Sequence, residues 1–266
     1  MIVEILKGIL LATVIVGGSG AFIGIFLGLA GKKLAVWIDE KELAIRDALP
    51  GNNCGGCGFP GCDGLAKAIA SNLAPIDACP VGGEASAKVI GDILGQQSSP
   101  AEKKVAFVKC MGDCEKTKQN YPYTGVEKCS MMQFLPTGGP KACNYGCLGY
   151  GECVEACPFD AIHIVKGIAL VDKEACKACG KCIKVCPLHL IEYVPYKQET
   201  RVACASKDKG KAVMNSCQIG CIACKKCEKT CQHEAILVEE NIAKIDYDKC
   251  VDCGECKEVC PRNCII

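Results

Sequence analysis

Cysteine constrains this chain more than any other residue type, because it accounts for 26 of the 266 residues. Cysteine at this density indicates either a disulfide scaffold or metal binding. Disulfide scaffolds belong to short secreted domains, whereas much of the cysteine here repeats the spacing C-x2-C-x2-C-x3-C, the ligand pattern of bacterial ferredoxins. The spacing therefore favours iron–sulfur clusters over disulfides and predicts a reducing compartment, the cytosol.

Three runs in the C-terminal half have the complete ferredoxin spacing. They are Cys176, Cys179, Cys182 and Cys186; Cys221, Cys224, Cys227 and Cys231; and Cys250, Cys253, Cys256 and Cys260. Proline follows the first and third runs, but Gln232 follows the second. In two-cluster ferredoxins the fourth cysteine of each run binds the cluster of the other run, so we expect the runs to occur in pairs.

An internal repeat supports this pairing, because a shift of 74 residues, from Cys147 to Cys221, aligns two sets of runs. Cys147, Cys153 and Cys157 then fall on cysteines of the second run, and the run starting at Cys176 falls on the run starting at Cys250. The repeat predicts two tandem ferredoxin-like modules, residues 143–200 and 201–266. In each module a short apolar segment between the runs predicts a β-hairpin: A-I-H-I-V-K-G-I-A-L-V-D and A-I-L-V-E-E-N-I-A-K-I-D.

The first module lacks one cysteine, because Tyr150 stands where the repeat places Cys224. One cluster in this module therefore needs a ligand from elsewhere or has incomplete ligation. Cys143, four residues before Cys147, is the nearest candidate. Under the same shift Cys143 falls on Cys217, which the second module does not need if its own runs are complete.

The remaining cysteines allow a further cluster. Cys110, Cys114 and Cys129 are interpreted as three of its ligands, and Cys143, Cys204 and Cys217 compete for the other roles. Their irregular spacing leaves two alternatives, five [4Fe–4S] clusters or six. Cys264 aligns with Leu190 and is interpreted as a small buried apolar residue.

A separate four-cysteine domain is predicted over residues 34–100, followed by a cysteine-containing connecting segment over residues 101–142. Its cysteines are Cys54, Cys57, Cys62 and Cys79. Helices are expected over residues 34–49 and 63–73, and the glycines between these cysteines allow the backbone to wrap closely around a cluster. A structural zinc site is the alternative, but the other runs in the chain favour [4Fe–4S].

The N-terminus is predicted to cross a membrane. Residues 8–31 carry no charge and are mostly Ile, Leu, Val, Ala and Gly, which is long enough to span the hydrocarbon core and contact lipid. A cleavable signal peptide would have a shorter apolar core. Lys32 and Lys33 follow the segment, so residues 1–33 are interpreted as a single-pass anchor of the cell inner (cytoplasmic) membrane that leaves the rest of the chain in the cytoplasm.

The predicted fold class is α+β, with one transmembrane helix, a small helical four-cysteine domain and tandem ferredoxin-like modules. No dinucleotide-binding G-x-G-x-x-G motif and no nucleophile–base pair are recognisable, so we expect no independent catalytic residues in this chain. The lysines are scattered rather than collected on a basic helix, and nucleic-acid binding is not expected. His163, His189 and His233 are unclustered and interpreted as ordinary surface or hairpin residues.

Taken together, the segments resemble a known family. The N-terminal apolar helix, A-L-P-G-N-N-C-G-G-C-G-F-P-G-C-D-G-L-A and G-G-P-K-A-C-N-Y-G-C-L-G-Y-G-E-C-V-E-A-C-P-F-D-A-I resemble the RnfB family, the B-type subunits of Rnf complexes, in its longer form with two ferredoxin modules. The resemblance covers essentially the whole chain. The departures from the family pattern are Tyr150 and Gln232.

This resemblance implies a membrane complex that couples electron flow between ferredoxin and NAD to Na+ or H+ transport. The protein would take electrons from soluble ferredoxin and relay them to the membrane subunits, while the flavin and NAD sites would lie in other subunits. The alternative is a membrane redox-regulatory protein, similar to the related Rsx system, that reduces a partner sensor factor.

Overall fold

The computed structural model describes residues 2–33, 39–97 and 102–266. They belong to two compact units, Met1–Leu43 and Ala44–Ile266. The chain is mixed helix and strand, as the sequence predicts, and the strands form three separate two-stranded antiparallel sheets.

The first unit is dominated by helix α1, Ile2–Lys33. Its segment Leu6–Lys33 contains an 18-residue stretch with a mean hydropathy of 2.2, and it is the one helix of the described residues that is long and apolar enough to cross a membrane. Its large apolar side chains are exposed within its unit, including Leu10, Val16 and Phe22. An apolar helix with no protein packing on its sides is the form that a lipid-facing segment takes.

Three helices begin the second unit and build the four-cysteine domain: α2, Glu40–Ala48, which starts in the first unit; α3, Cys62–Ala70; and α4, Gly83–Leu94. Ile45, Leu65, Ile69 and Ile90 pack together in its core and are almost completely buried. Helix α3 is shorter than predicted because the chain turns at Asn72, which has a positive φ of 56°. The predicted helix over residues 34–49 is seen from Glu40 onward, and residues 34–38 lie outside the described part.

Each ferredoxin-like module contains the predicted hairpin. In module 1, β2 (Ile162–Val165) pairs with β3 (Ile168–Val171); in module 2, β5 (Ile236–Glu239) pairs with β6 (Ile242–Ile245). Around each hairpin, a core of apolar residues and cysteines is buried. The cysteine loops of each module therefore pack against its hairpin.

A short helix follows each cysteine loop and carries the third cysteine of its run. These helices are α6 (Glu152–Glu155), α7 (Lys181–Val185), α9 (Lys226–Thr230) and α10 (Glu255–Glu258). The residue before each helix has a left-handed backbone: Gly151, Gly180, Lys225 and Gly254. This turn reverses the chain so that Cys153, Cys182, Cys227 and Cys256 point into the interior, where all four are buried.

The connecting segment contributes structure that the sequence pattern does not predict. Strand β1, Lys104–Val108, pairs with β4, Ile191–Pro195, at the end of module 1, with Val105 opposite Val194. Further along, α5 (Cys129–Met132) and a 3-10 turn (Pro136–Gly138) cover module 1, and α8 (Gly210–Ser216) lies before the first run of module 2. Residues 102–142 therefore fold onto the ferredoxin modules instead of serving as a separate linker.

Candidate iron–sulfur sites

The outer site of module 1 is formed by Cys157, Cys176, Cys179 and Cys182, which line one cavity. The set combines the fourth cysteine of one run with the first three of the other, as in two-cluster ferredoxins. Backbone N–H groups point at two of the sulfurs: Ala161 donates to Cys157 Sγ at 3.4 Å and Ala106 donates to Cys176 Sγ at 3.5 Å. The second of these donors lies in β1, so the connecting segment forms part of this site.

The inner site of module 1 contains three of the expected cysteines, Cys147, Cys153 and Cys186, and its fourth is Cys129. Cys129 begins α5, and the next residue fixes its place. Ser130 donates its backbone N–H and its hydroxyl to the two carboxylate oxygens of Glu152, at 2.6 and 2.8 Å. Glu152 follows Tyr150 by two residues, so this pair of hydrogen bonds brings Cys129 to the place that the missing cysteine leaves open.

A central site lies between the two modules and is lined by Cys110, Cys143, Cys204 and Cys217. Cys143 therefore does not complete module 1, and Cys110, Cys114 and Cys129 do not share a site. The sequence spacing is misleading here because α5 folds back onto α6 and places Cys129 apart from Cys110. Cys114 is exposed and lines none of these four-cysteine sites.

Cys204 and Cys217 have no assigned site from their sequence positions alone. One signal could have identified Cys217: under the repeat shift it corresponds to Cys143, and the two residues precede the equivalent cysteines Cys147 and Cys221 by four positions. The structure brings these two equivalent residues together in the central site. Thr117 fixes Cys217 further, with its hydroxyl 3.6 Å from Cys217 Sγ.

Module 2 has the two sites that its runs predict. The inner site of module 2 contains Cys221, Cys224, Cys227 and Cys260. In the outer site of module 2, Cys231, Cys250 and Cys253 lie close enough to Cys256 to raise the pKa of its thiol. Gln198 donates its side-chain N–H to Cys250 Sγ at 3.1 Å.

Cys264 is buried, as predicted, yet it is more than an apolar residue. Its thiol lies 3.6 Å from Cys260 Sγ and also forms a hydrogen bond with Cys221. That contact lowers the pKa of Cys221 and raises the pKa of Cys264. Cys264 thus lies against the inner site of module 2 as a fifth cysteine.

The four-cysteine domain brings Cys57, Cys62 and Cys79 into one core cluster, and we call the set Cys54, Cys57, Cys62 and Cys79 the N-terminal site. Gly82 donates its backbone N–H to Cys79 Sγ at 3.3 Å. The loop that carries Cys54 and Cys57 packs directly on module 1, since a Cβ added to Gly56 would lie 2.7 Å from the carbonyl oxygen of Cys179. The N-terminal site and the outer site of module 1 are therefore neighbours.

Burial dominates the electrostatics of the cysteines. It raises the pKa of Cys153 and Cys182 to about 12, and that of Cys110, Cys143, Cys227 and Cys256 to about 11. Neighbouring cysteines contribute to these raised pKa values, because two thiolates at one site repel each other. Such sites favour thiolates only when a positive metal core binds them and releases their protons.

The donor sets fit [4Fe–4S] clusters. Six sets supply four cysteine ligands each, which places 24 of the 26 cysteines. The other two are Cys264, which lies against the inner site of module 2, and the exposed Cys114. In the described ranges, no three His, Cys, Asp or Glu side chains converge closely enough to share one metal ion, as a zinc site would require. In four of the six sets the cysteines instead line a cavity, which suits a larger four-iron core.

Comparison with known families identifies iron–sulfur domains in three parts of the chain. Residues 49–81 match a family of Fe-S cluster domains, and residues 139–187 and 220–264 each match a 4Fe-4S dicluster domain. The matched ranges contain the N-terminal site and the cysteine runs of the two modules. The predicted α+β fold with iron–sulfur domains is therefore confirmed.

Relatives match along nearly the full chain. The B-type subunit of the Na(+)-translocating ferredoxin:NAD(+) oxidoreductase complex of Acetobacterium woodii is 48% identical over 98% of this chain and 78% of its own length. The B-type subunit of the ion-translocating oxidoreductase complex of Methanosarcina acetivorans is 44% identical over 94% of this chain and 95% of its own. The corresponding subunit of the proton-translocating ferredoxin:NAD(+) oxidoreductase complex of Clostridium ljungdahlii is 37% identical over 92% of this chain and 88% of its own length. The chain thus belongs to the RnfB family of ion-translocating oxidoreductase complexes.

Proposed function

We propose that this protein is the electron-relay subunit of an Rnf-type ion-translocating ferredoxin:NAD oxidoreductase complex. The six cysteine sets would each hold a [4Fe–4S] cluster that exchanges one electron. The family relationship and the cluster domains support an electron-transfer role. A complete complex would reduce or oxidise NAD in other subunits, and this chain would have no catalytic site of its own.

The observation that carries the proposal is the serial contact between neighbouring sites. The backbone N–H of Cys147, in the inner site of module 1, donates to Cys110 Sγ of the central site at 3.2 Å. The backbone N–H of Cys221, in the inner site of module 2, donates to Cys204 Sγ of the same site at 3.3 Å. Cys147 and Cys221 are equivalent in the repeat, so the central site joins the two modules by two matching hydrogen bonds.

These contacts define an order for the six sites. It runs from the N-terminal site through the outer and inner sites of module 1 to the central site, and then through the inner and outer sites of module 2. Within each module the exchange of the fourth cysteine between runs keeps inner and outer sites adjacent. The central site is the sixth centre, and without it the chain would carry two separate ferredoxin modules with a gap between them.

The electron partner at one end would be soluble ferredoxin, and at the other end the membrane subunits of the complex. Helix α1 would anchor the chain in the cytoplasmic membrane in a single pass, with residues 8–31 in contact with lipid. The positive charges of Lys32 and Lys33 support a cytoplasmic position for the iron–sulfur part. The domain limits 1–33, 34–100, 101–142, 143–200 and 201–266 accompany this proposal, with residues 102–142 packed on the modules.

A stopped-flow experiment tests the relay. Anaerobically purified protein is mixed with reduced ferredoxin, and the iron–sulfur absorbance is followed from milliseconds to seconds. The relay predicts reduction of all centres on that timescale. Absence of exchange with ferredoxin, in protein that contains its full iron and sulfide, would contradict the proposed function.

A further inference from the structure

Lys141 is a buried cation with only neutral hydrogen-bond partners. Its side chain is 5% exposed, and its ammonium donates to the backbone carbonyl oxygens of Gly112, Cys147 and Gly167 at 3.2, 2.5 and 3.0 Å. Within the described part of the chain it forms no ion pair with a carboxylate. Three carbonyl oxygens satisfy its N–H groups, but they supply no net negative charge.

A buried charge in this situation requires a counter-charge, because removal from water is costly unless an opposite charge compensates. The buried carboxylate of Asp113, next to Gly112, does not serve Lys141. It pairs with Lys116 at 3.0 Å and accepts the backbone N–H groups of Glu115 and Lys116. The counter-charge of Lys141 must therefore come from another source.

Two of the three carbonyls that Lys141 contacts belong to the walls of cysteine sites. One is the carbonyl of Cys147, in the inner site of module 1. Another is that of Gly112, whose backbone lies against the central site: a Cβ added there would be 3.2 Å from Cys217 Sγ and 3.7 Å from Cys110 Sγ. The ammonium group consequently lies between the inner site of module 1 and the central site.

We propose that Lys141 is a shared counter-charge of these two sites and raises the reduction potential of both centres. The inference rests on the proposed relay function, in which both sites hold four-iron clusters with net negative charge. Each centre gains one electron on reduction, and no bond forms or breaks. A fixed positive charge nearby stabilises the more negative, reduced state, so its loss makes reduction less favourable. Lys141 acts as a positioning residue, since it touches the walls of the sites and not the reacting atoms.

The repeat strengthens the assignment, because each module places a cation beside its inner site at a different position. The residue that corresponds to Lys141 under the shift of 74 is Asn215, which is exposed on α8. In module 2, Arg262 lines the inner site and donates to the carbonyl oxygen of Cys217 at 2.6 Å, and it stands where module 1 has Leu188. The charge of Lys141 is therefore particular to module 1 and is not required by the cysteine pattern.

The test uses full-length, anaerobically purified protein and a redox titration followed by absorbance and low-temperature EPR. Lys141→Gln keeps a hydrogen-bond donor without the charge, and Lys141→Met keeps approximately the shape. Lys141→Arg retains the charge. Lys118→Gln is the control. It removes the charge of an exposed lysine next to Thr117, near the central site, and solvent screens that charge from the site.

In the two neutral variants we expect unchanged iron and sulfide, with two of the six one-electron steps moved to more negative potential. The equilibrium constant of each step should fall about tenfold, equivalent to about 59 mV for one electron. Lys141→Arg and Lys118→Gln should leave all six steps in place. When Lys141→Gln is added to Cys143→Ala, which removes the central site, only one of the remaining steps should move.

Full iron content with six unmoved steps in Lys141→Gln would overturn the inference while leaving the relay intact. An equal shift in Lys141→Arg would also overturn it, since the charge is retained there. If both neutral variants lose the two adjacent centres and Lys141→Arg keeps them, the counter-charge role is supported; loss in all three variants would overturn it. Failure of the relay itself is separate, because it would appear in the wild-type protein as absent electron exchange with ferredoxin, whereas the potentials of its centres could still be titrated.

Discussion

At the scale of single residues, the missing cysteine at Tyr150 shows how a regular motif can be completed from a distant segment. The sequence indicates the defect unambiguously but favours Cys143 as the replacement because Cys143 is near in the chain. The structure brings Cys129 there through the hydrogen bonds between Ser130 and Glu152. These bonds depend on the fold of residues 102–142, which the periodicity of the sequence does not determine.

A pair of substitutions tests this replacement. Cys129→Ser should remove about four irons per chain, because the inner site of module 1 would keep only three cysteines. Adding Tyr150→Cys should restore them, since it re-creates the ferredoxin spacing with Cys147 and Cys153. Iron and acid-labile sulfide analysis reads both results. Full iron in Cys129→Ser would show that Cys129 is not a ligand.

A glycine next to the same site tests the backbone geometry. Gly149 has a φ of +80°, and an added Cβ would overlap the carbonyl oxygen of Gly167. Gly254 has the same φ with open space around it. Gly254→Ala should cost about 1–2 kcal/mol from backbone strain alone, whereas Gly149→Ala should cost more because the β2–β3 turn must move. Thermal unfolding followed by circular dichroism should rank the midpoints in that order, and equal midpoints would contradict the close approach.

At the scale of elements, the two hairpins were predictable and the β1–β4 sheet was not. Each hairpin lies between two cysteine runs and has local pairing, so the sequence pattern is sufficient. Strand β1 instead pairs with a strand more than 80 residues away, from Val108 to Ile191, and its apolar residues alone do not identify a partner. Because Ala106 of β1 donates to Cys176 Sγ, this sheet also supports the outer site of module 1.

Truncation of a buried residue in this sheet should therefore affect both stability and cluster content. Ile191 in β4 is 4% exposed, and Ile191→Ala should destabilise the protein by about 2–5 kcal/mol through the cavity it leaves. Ile164→Ala in β2, at a position 37% exposed, is the control and should have a smaller effect. Thermal melting with iron analysis measures both. A larger loss at Ile164 would indicate that the β1–β4 sheet does not stabilise module 1.

At the scale of the whole molecule, the chain combines a helix long and apolar enough to cross a membrane with six sets of cysteines. The repeat and the motifs predict the two modules and the N-terminal site from sequence alone. The central site is different, because its four cysteines come from the connecting segment (Cys110), module 1 (Cys143) and the start of module 2 (Cys204 and Cys217). No spacing rule covers such a set.

The N-terminal helix should determine where the protein is found. Removal of residues 2–33 should release the iron–sulfur part into the soluble fraction, when the chain is expressed without the other subunits of the complex. Its iron content should be unchanged, because the described cysteines all lie in the second unit. Fractionation followed by iron analysis checks both expectations, and retention of the truncated chain in membranes would contradict the anchor.

The continuous series of six sites is the central claim, and metal analysis of the anaerobically purified wild-type protein tests it most directly. Six [4Fe–4S] centres predict about 24 irons and an equal amount of acid-labile sulfide per chain, falling to about 20 in Cys143→Ala as the central site is lost. About 20 irons in the wild type, unchanged in Cys143→Ala, would contradict the central site and leave the two modules unconnected. Stoichiometric zinc with little sulfide would contradict the electron relay as a whole.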